Sequence, residues 1–215
     1  MTQPASNTGS GRFIVLEGID GAGKSSQIAP LAAWLADHGR RVVTCRDPGS
    51  TAAGDAIRAI LLDRRDLQLG LTAEMLLYMA ARAQLVAEVI RPALARGEWV
   101  LSDRYLLANV VYQGHAGGID ADVVRRVGAV ATGGLEPDLV ILLDIAPDAA
   151  SRRMARPLDK LEARGDAFRR RLRDGYLAEA ARQPERIEVI DADRGIADVQ
   201  AALRAAVSAR FATTG

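Results

Sequence analysis

One octapeptide, Gly18-Ile19-Asp20-Gly21-Ala22-Gly23-Lys24-Ser25, restricts what this chain can fold into more than any other feature. It fits the pattern G-x-x-x-x-G-K-S/T, which works only where a strand runs into a loop and the loop opens a helix. Both flanks comply. Upstream, Phe13-Ile14-Val15-Leu16 is apolar and β-prone; downstream, Ser26 to His38 carries helical spacing. Glycines let successive backbone N–H groups converge on an anion, and the helix start adds partial positive charge. Lys24 is then placed to reach terminal phosphates and the Ser25 hydroxyl to hold Mg2+, with Ser26 following in the helix. Of 28 basic residues only Lys24 and Lys160 are lysine. A slender point charge thus stands where phosphate oxygens crowd together, in a chain that otherwise uses arginine. The segment implies a nucleotide phosphate site.

At 215 residues the chain suits a single domain with a proper core, and its 49% hydrophobic and 26% charged residues are an ordinary globular balance. A formal net charge of +1 gives no support for a nucleic-acid partner or a polybasic membrane surface. The one cysteine, Cys45, excludes an intramolecular disulfide and a cysteine-rich metal site, and fits a reducing, cytoplasmic setting. No apolar run reaches bilayer-spanning length. Residues 1–11 are small and polar, so a loose tail is expected there, with residues 12–212 forming the domain.

Strand-like runs at 13–17, 41–45, 98–102, 138–143 and 187–190 alternate with helical spacing at 26–38, 52–63, 72–96, 120–132, 163–182 and 196–210. That alternation predicts an α/β fold: a five-stranded parallel sheet in a three-layer α/β/α arrangement. Ligands on such sheets bind beyond the carboxyl ends of the strands. The rule gathers the loop 18–25, Arg46-Asp47-Pro48-Gly49, Asp103-Arg104-Tyr105 and Asp144 into one cleft.

Several of these segments carry chemistry. Asp103 ends a strand beside the phosphate loop, the usual second anchor for Mg2+, and Arg104 could grip a phosphate with two parallel bonds. A surface Asp–Arg pair at a helix start is the plain alternative. Tyr78 and Arg82 lie four apart on one helix face, where a ring and a guanidinium could meet a nucleobase; an aromatic there is equally a core residue. Asn109, Tyr112 and Gln113 offer amides and a ring ahead of Gly114, which could also simply close a helix. Residues 151–173 hold eight arginines and Lys160. Arg169, Arg170, Arg171 and Arg173 read as a solvated basic face with Glu162, Asp166 and Asp174 as partners. The stretch from Arg152 to Lys160, broken by Pro157, reads instead as a mobile flap whose arginines close over a transferring phosphoryl group.

In this order and spacing the chain resembles the bacterial thymidylate kinase family from about residue 12 to 210. The matching segments are FIVLEGIDGAGKSSQ, CRDPGST, YMAARAQLV, VLSDRY, Tyr112-Gln113-Gly114, EPDLVILLD, and LDKLE ahead of DGYL. The resemblance implies a P-loop nucleoside triphosphate hydrolase-like fold with a short Arg-rich lid near 152–163. It also implies Mg2+-dependent transfer of the ATP γ-phosphoryl group to dTMP, and a homodimer formed through the apolar helix 72–96. By the same likeness Asp20 meets the sugar 3′-hydroxyl, Arg104 holds the dTMP phosphate, and Asp103 serves Mg2+. Arg82 bonds thymine, with Tyr78 at the stacking position. Asn109, Tyr112 and Gln113 contact base and sugar, Tyr112 crowding a ribose 2′-hydroxyl, and Arg46, Pro48 and Arg58 complete the dTMP side. Relatives without an arginine in the phosphate loop carry it in the lid. Gly21 follows Asp20 here, so Arg153 and Arg156 are the expected catalytic lid arginines beside Lys24, Asp20 and Arg104.

The chain departs from the family pattern at Tyr78 for Phe, Asp47 for Glu, Ser50 for Gly, Ala108 for Ser and Lys160 for Arg. A P-loop kinase for another monophosphate is the nearest competing reading. A GTP-binding switch would need a guanine-reading Asn-Lys-x-Asp segment, and neither lysine sits in one.

Overall fold

The computed structural model describes residues 10–64, 66–153 and 165–211. Five strands form one parallel sheet: β1 Phe13–Glu17, β2 Val42–Arg46, β3 Trp99–Asp103, β4 Leu139–Asp144 and β5 Ile187–Asp191, in the order β2-β3-β1-β4-β5. β1 is central, with Leu16 paired to Asp103 on one side and Ile141 on the other. All five of its residues are buried, as an apolar strand covered on both faces requires. The connection leaving β1 crosses β3 to reach β2, whereas the one leaving β3 crosses β1 to reach β4. Opposed connections open a crevice at the carboxyl end of β1, where the octapeptide lies.

Helices cover both faces. α1 Lys24–Asp37 lies over β1, β2 and β3 beside α9 Ile196–Phe211, which reaches β4 and β5. α8 Asp166–Arg182 touches β4 and β5 on the other layer. α2 Ala52–Leu62 starts where the Thr51 hydroxyl accepts the Gly54 amide at 2.9 Å, and α6 Ala121–Thr132 starts on an Asp120 cap.

The long helix expected at 72–96 comes in three parts: α3 Leu71–Leu85, a π-helical turn Val86–Ile90, and α4 Arg91–Ala95. Pro92 has no N–H to donate and its ring crowds the preceding turn; the wide turn just ahead of it relieves both. A second helix, α5 Leu106–Asn109, runs on as a π-helix to His115. Gly114 therefore lies within this π-helix and does not close it. A Cβ there would stand 3.3 Å from Ala121 Cα, so glycine lets the start of α6 come close.

Two further expectations need correction. Arg152 and Arg153 are not in a flap but end α7 Pro147–Arg153; Arg156, Lys160 and the rest of the expected lid lie outside the described residues. Nor is Arg173, whose side chain is 36% exposed, simply a solvated basic residue. It donates to both oxygens of Asp144 at 2.7 and 2.8 Å, binding α8 to the end of β4 and occupying a carboxylate expected in the cleft.

The core is a continuous cluster running from Phe13 and Leu101 through Ile141 to Leu203. Ile141 is fully buried, and truncating such a side chain removes transfer energy and leaves a cavity. Ile141→Ala is expected to cost about 2–5 kcal/mol in urea denaturation, with Ile141→Val well under half of that.

Candidate active site

The octapeptide turns through Gly18, Gly21 and Gly23, all at positive φ (140, 86 and 91°). A Cβ on Gly18 would lie 2.6 Å from the Leu143 carbonyl oxygen, and one on Gly21 only 2.3 Å from that of Ala150. Backbone on both sides thus excludes any side chain. Gly23 caps α1, so the first amides of that helix open toward the crevice. The Lys24 ammonium donates to the Gly18 and Ile19 carbonyls at 2.9 and 3.0 Å. Burial, and next the charge of Arg104, bring its pKa down to about 8. The Ser25 hydroxyl donates to Asp103 Oδ2 at 2.8 Å, so the two residues expected at a metal sit together.

Arg104, at φ 71°, occupies the left-handed region that non-glycine residues adopt at a cost. Its guanidinium donates to the Gly18 carbonyl at 3.1 Å, to Asp20 Oδ1 at 2.6 Å and to the Tyr112 hydroxyl at 3.1 Å. Tyr112 in turn donates to Asp20 Oδ2 at 3.0 Å. Burial holds the Tyr112 hydroxyl well above its ordinary pKa, so it remains a donor.

Beyond β2 the chain turns at a cis Asp47-Pro48 bond, and Gly49 and Ser50 both take positive φ. Ser50 at 64° shows why glycine suits this position; here the strain is met by a hydroxyl that accepts the Arg46 amide at 2.9 Å. Arg46 also pairs with Asp55 at 3.1 Å, and Arg58 donates to the Pro48 carbonyl at 3.1 Å. Burial, then Arg46, lower the Arg58 pKa.

Arg82 does share a helix with Tyr78, but its side chain is only 1% exposed and is locked to fully buried Asp47 at 2.5 Å. It also donates to the Tyr105 carbonyl at 3.2 Å and to Met79 Sδ at 3.2 Å. Asn109 donates to Gln113 at 2.7 Å, and Gln113 to Glu74 at 2.9 Å. Asp47 Oδ1 and Asn109 Oδ1 are buried acceptors with no donor among the described residues.

These groups line one cleft of about 1370 Å3. It runs across the sheet from Pro48 and Tyr78, past Lys24 and Arg104, to Ala192 and the Arg194–Val199 stretch after β5. Arg153 lies at that far end, donating to the Ala192 carbonyl at 2.7 Å and to Asp193 and the Arg194 carbonyl at 3.3 Å. The sequence does not point to this end of the cleft, because no motif marks Arg194-Gly195-Ile196; only the strand-end rule applied to β5 reaches it.

Nor does the sequence point to Glu17. It is fully buried at the end of β1, accepting the Tyr105 and Ala108 amides on Oε1 (2.9 and 3.3 Å) and the Tyr176 hydroxyl on Oε2 (2.9 Å). The available signal was a lone charge closing an apolar strand beside the phosphate loop. Burial pushes its pKa up to about 7, against the pull of Arg104 and its hydrogen bonds.

Among the described residues there is no group of three or more His, Cys, Asp or Glu side chains fit for a metal. One hydroxyl and one carboxylate, Ser25 and Asp103, are the sparse hard-oxygen set that suits Mg2+, an ion that keeps waters and takes phosphate oxygens.

The thymidylate kinase family model matches residues 16–203. A thymidylate kinase of Chromohalobacter salexigens is 46% identical over 207 residues, covering 94% of this chain and 98% of its own. One of Desulforudis audaxviator is 48% identical over 187 residues, covering 86% and 85%. Among solved structures, the thymidylate kinase of Ehrlichia chaffeensis superposes with a TM-score of 0.76 at 26% identity, covering 92% of this chain and 99% of that one.

The raised Glu17 pKa has a consequence for stability. The folded protein keeps a proton that the unfolded chain releases near 4.5, so this contribution is full at low pH and lost as pH rises through about 7. From about pH 5 to pH 8 the unfolding free energy of the parent protein should fall relative to Glu17→Gln by a few kcal/mol. Urea denaturation across that range measures it; parallel curves for the two proteins would contradict the assignment.

Proposed function

The chain belongs to the thymidylate kinase family, and from that premise we propose how its cleft transfers the γ-phosphoryl group of ATP to dTMP, giving dTDP and ADP. The observation that carries the reading is the Gly18 carbonyl, which accepts from Lys24 at 2.9 Å and Arg104 at 3.1 Å. Cations from two different loops converge on one atom, so two phosphates gripped by them lie side by side. The loop amides and Lys24 hold the donor phosphates, with Ile19, Ala22 and Ser26 completing the loop and helix start. Arg104 holds the acceptor phosphate.

A phosphate oxygen of dTMP is already anionic near neutral pH, so attack in line needs no strong base. Positioning and charge neutralisation supply the rate. Mg2+, held by Ser25 and Asp103, supplies neutralising charge on the phosphate oxygens when bound.

Asp20 receives the sugar 3′-hydroxyl, its orientation fixed by Arg104 and Tyr112. The Tyr112 ring leaves no room for a 2′-hydroxyl. Tyr78 stacks on thymine while Arg82, steadied by Asp47, donates to it. Asn109 and Gln113 border base and sugar, and Arg46, Pro48 and Arg58 close that end. Arg153, fastened to the segment after β5, borders the adenine end together with Ile196.

Leu76 on α3 is 50% exposed and Val130 on α6 is 84% exposed, and these two helices pack together. Exposed apolar side chains on two packed helices suit contact with a second copy of the chain, and a homodimer is the working form we propose. No helix among the described residues is long and apolar enough to cross a membrane. A cytoplasmic enzyme with one buried thiol fits that composition.

In a coupled ADP assay with Mg2+, dTMP is expected to be turned over far faster than dUMP, dGMP, AMP or CMP; a preference for another acceptor would favour a different monophosphate kinase. Lys24→Ala should lose about 10²–10³-fold or more in kcat with its thermal midpoint nearly unchanged. Asp103→Asn should raise the Mg2+ concentration needed for half-maximal rate.

A further inference from the structure

Among the described residues, Glu17 is a buried carboxylate beside the phosphate loop to which the reaction above gives no task. Its position is unusual. It ends the central strand, directly before Gly18, yet the protons it accepts come from elsewhere: the amides of Tyr105 and Ala108 at the start of α5, and the hydroxyl of Tyr176 on α8. Burying a carboxylate is expensive unless its lone pairs are satisfied, and all three donors are spent on doing so.

The residue between these anchors is Arg104. Its own amide donates to the Leu16 carbonyl at 3.0 Å, and the next amide, that of Tyr105, goes to Glu17. Arg104 is thus held at φ 71° by consecutive bonds to consecutive residues of β1. A non-glycine residue in the left-handed region persists only where its surroundings over-determine it. Tyr176 adds a third side to the arrangement. It lies on α8, the helix that begins just after residues 154–164, and its hydroxyl fixes the second carboxylate oxygen at 2.9 Å.

We propose that Glu17 is a positioning residue for the acceptor phosphate: it clamps the strained turn that aims Arg104 and ties that turn to α8 through Tyr176. The inference rests on Arg104 holding the phosphate of dTMP. Glu17 makes its bonds to residues 105, 108 and 176, not to the loop that takes ATP, so its loss should act on one substrate and spare the other.

The test measures KM for dTMP and for ATP separately, with kcat and thermal midpoint, in full-length Glu17→Ala, Glu17→Asp, Glu17→Gln, Tyr176→Phe and Arg104→Ala proteins. Aspartate keeps the charge but cannot span the amides and the tyrosine together. Glutamine keeps the reach and can still accept the Tyr105 and Ala108 amides. Glu17→Ala and Glu17→Asp should raise the dTMP KM about ten-fold or more while the ATP KM stays within about two-fold, as expected for losing several hydrogen bonds to a buried acceptor. Tyr176→Phe should give a smaller rise of the same kind, and Glu17→Gln should return the dTMP KM to within about three-fold of the parent. Should Glu17→Ala fail to fold, the aspartate and Tyr176→Phe proteins decide.

A purely structural role would lower the thermal midpoint without separating the two KM values, and that result overturns the inference. If Arg104→Ala raises the dTMP KM while the folded Glu17 and Tyr176 variants leave it unchanged, the positioning role alone is wrong. If Arg104→Ala leaves it unchanged, the assignment of Arg104 to the acceptor phosphate fails and the inference falls with it.

Discussion

Where the chain leaves β1 it passes from a strand with no exposed residue into a loop with no room for a side chain at Gly18 or Gly21. Gly18 lies beneath the Leu143 carbonyl and Gly21 against that of Ala150, so neighbouring backbone decides the path of the loop before any ligand is considered. The same crowding brings the cations together. Lys24 and Arg104 reach the Gly18 carbonyl from two directions, and Asp20, two residues further on, collects Arg104 and Tyr112. A parallel sheet with opposed crossovers makes the crevice; the glycine path under β4 and α7 gives it a wall of main-chain donors.

Charge in this cleft is arranged in advance. Arg82 and Asp47 form an ion pair excluded from water, and Glu17 is buried among three donors close to Lys24 and Arg104. Such groups contribute little net stability, because desolvation offsets their attraction. What they gain is direction. The Arg82 guanidinium is held by Asp47, Met79 Sδ and the Tyr105 carbonyl, so its orientation is fixed before any ligand enters. Among the described residues the Oδ1 atoms of Asp47 and Asn109 find no donor, and both residues line the cleft.

The fold was largely legible because strand and helix here obey simple periods: the apolar runs at 13–17, 138–143 and 187–190 became β1, β4 and β5 within a residue or so. The Ser25–Asp103 pairing was legible too, since a motif places one partner and the strand-end rule the other. What could not be read depends on contacts between distant residues. Nothing local says that Arg173 will seek Asp144, that Arg153 will finish a helix and turn toward Ala192, or that Glu17 will meet Tyr176 across 159 positions. The role of Gly114 was hidden for a related reason, since its lack of a side chain serves the approach of Ala121 and not a helix end. Pattern speaks about neighbours along the chain; partners across it need the fold.

The central claim is that one crevice holds two phosphates, one on Lys24 and the loop amides, the other on Arg104. A crystal structure with dTMP and a non-hydrolysable ATP analogue bound together tests it most directly. The account predicts the dTMP phosphate within about 3 Å of the Arg104 guanidinium and the terminal phosphate of the analogue at the same reach from Lys24 Nζ. A dTMP phosphate bound elsewhere, with Arg104 still closed on Asp20 and Gly18, would contradict it.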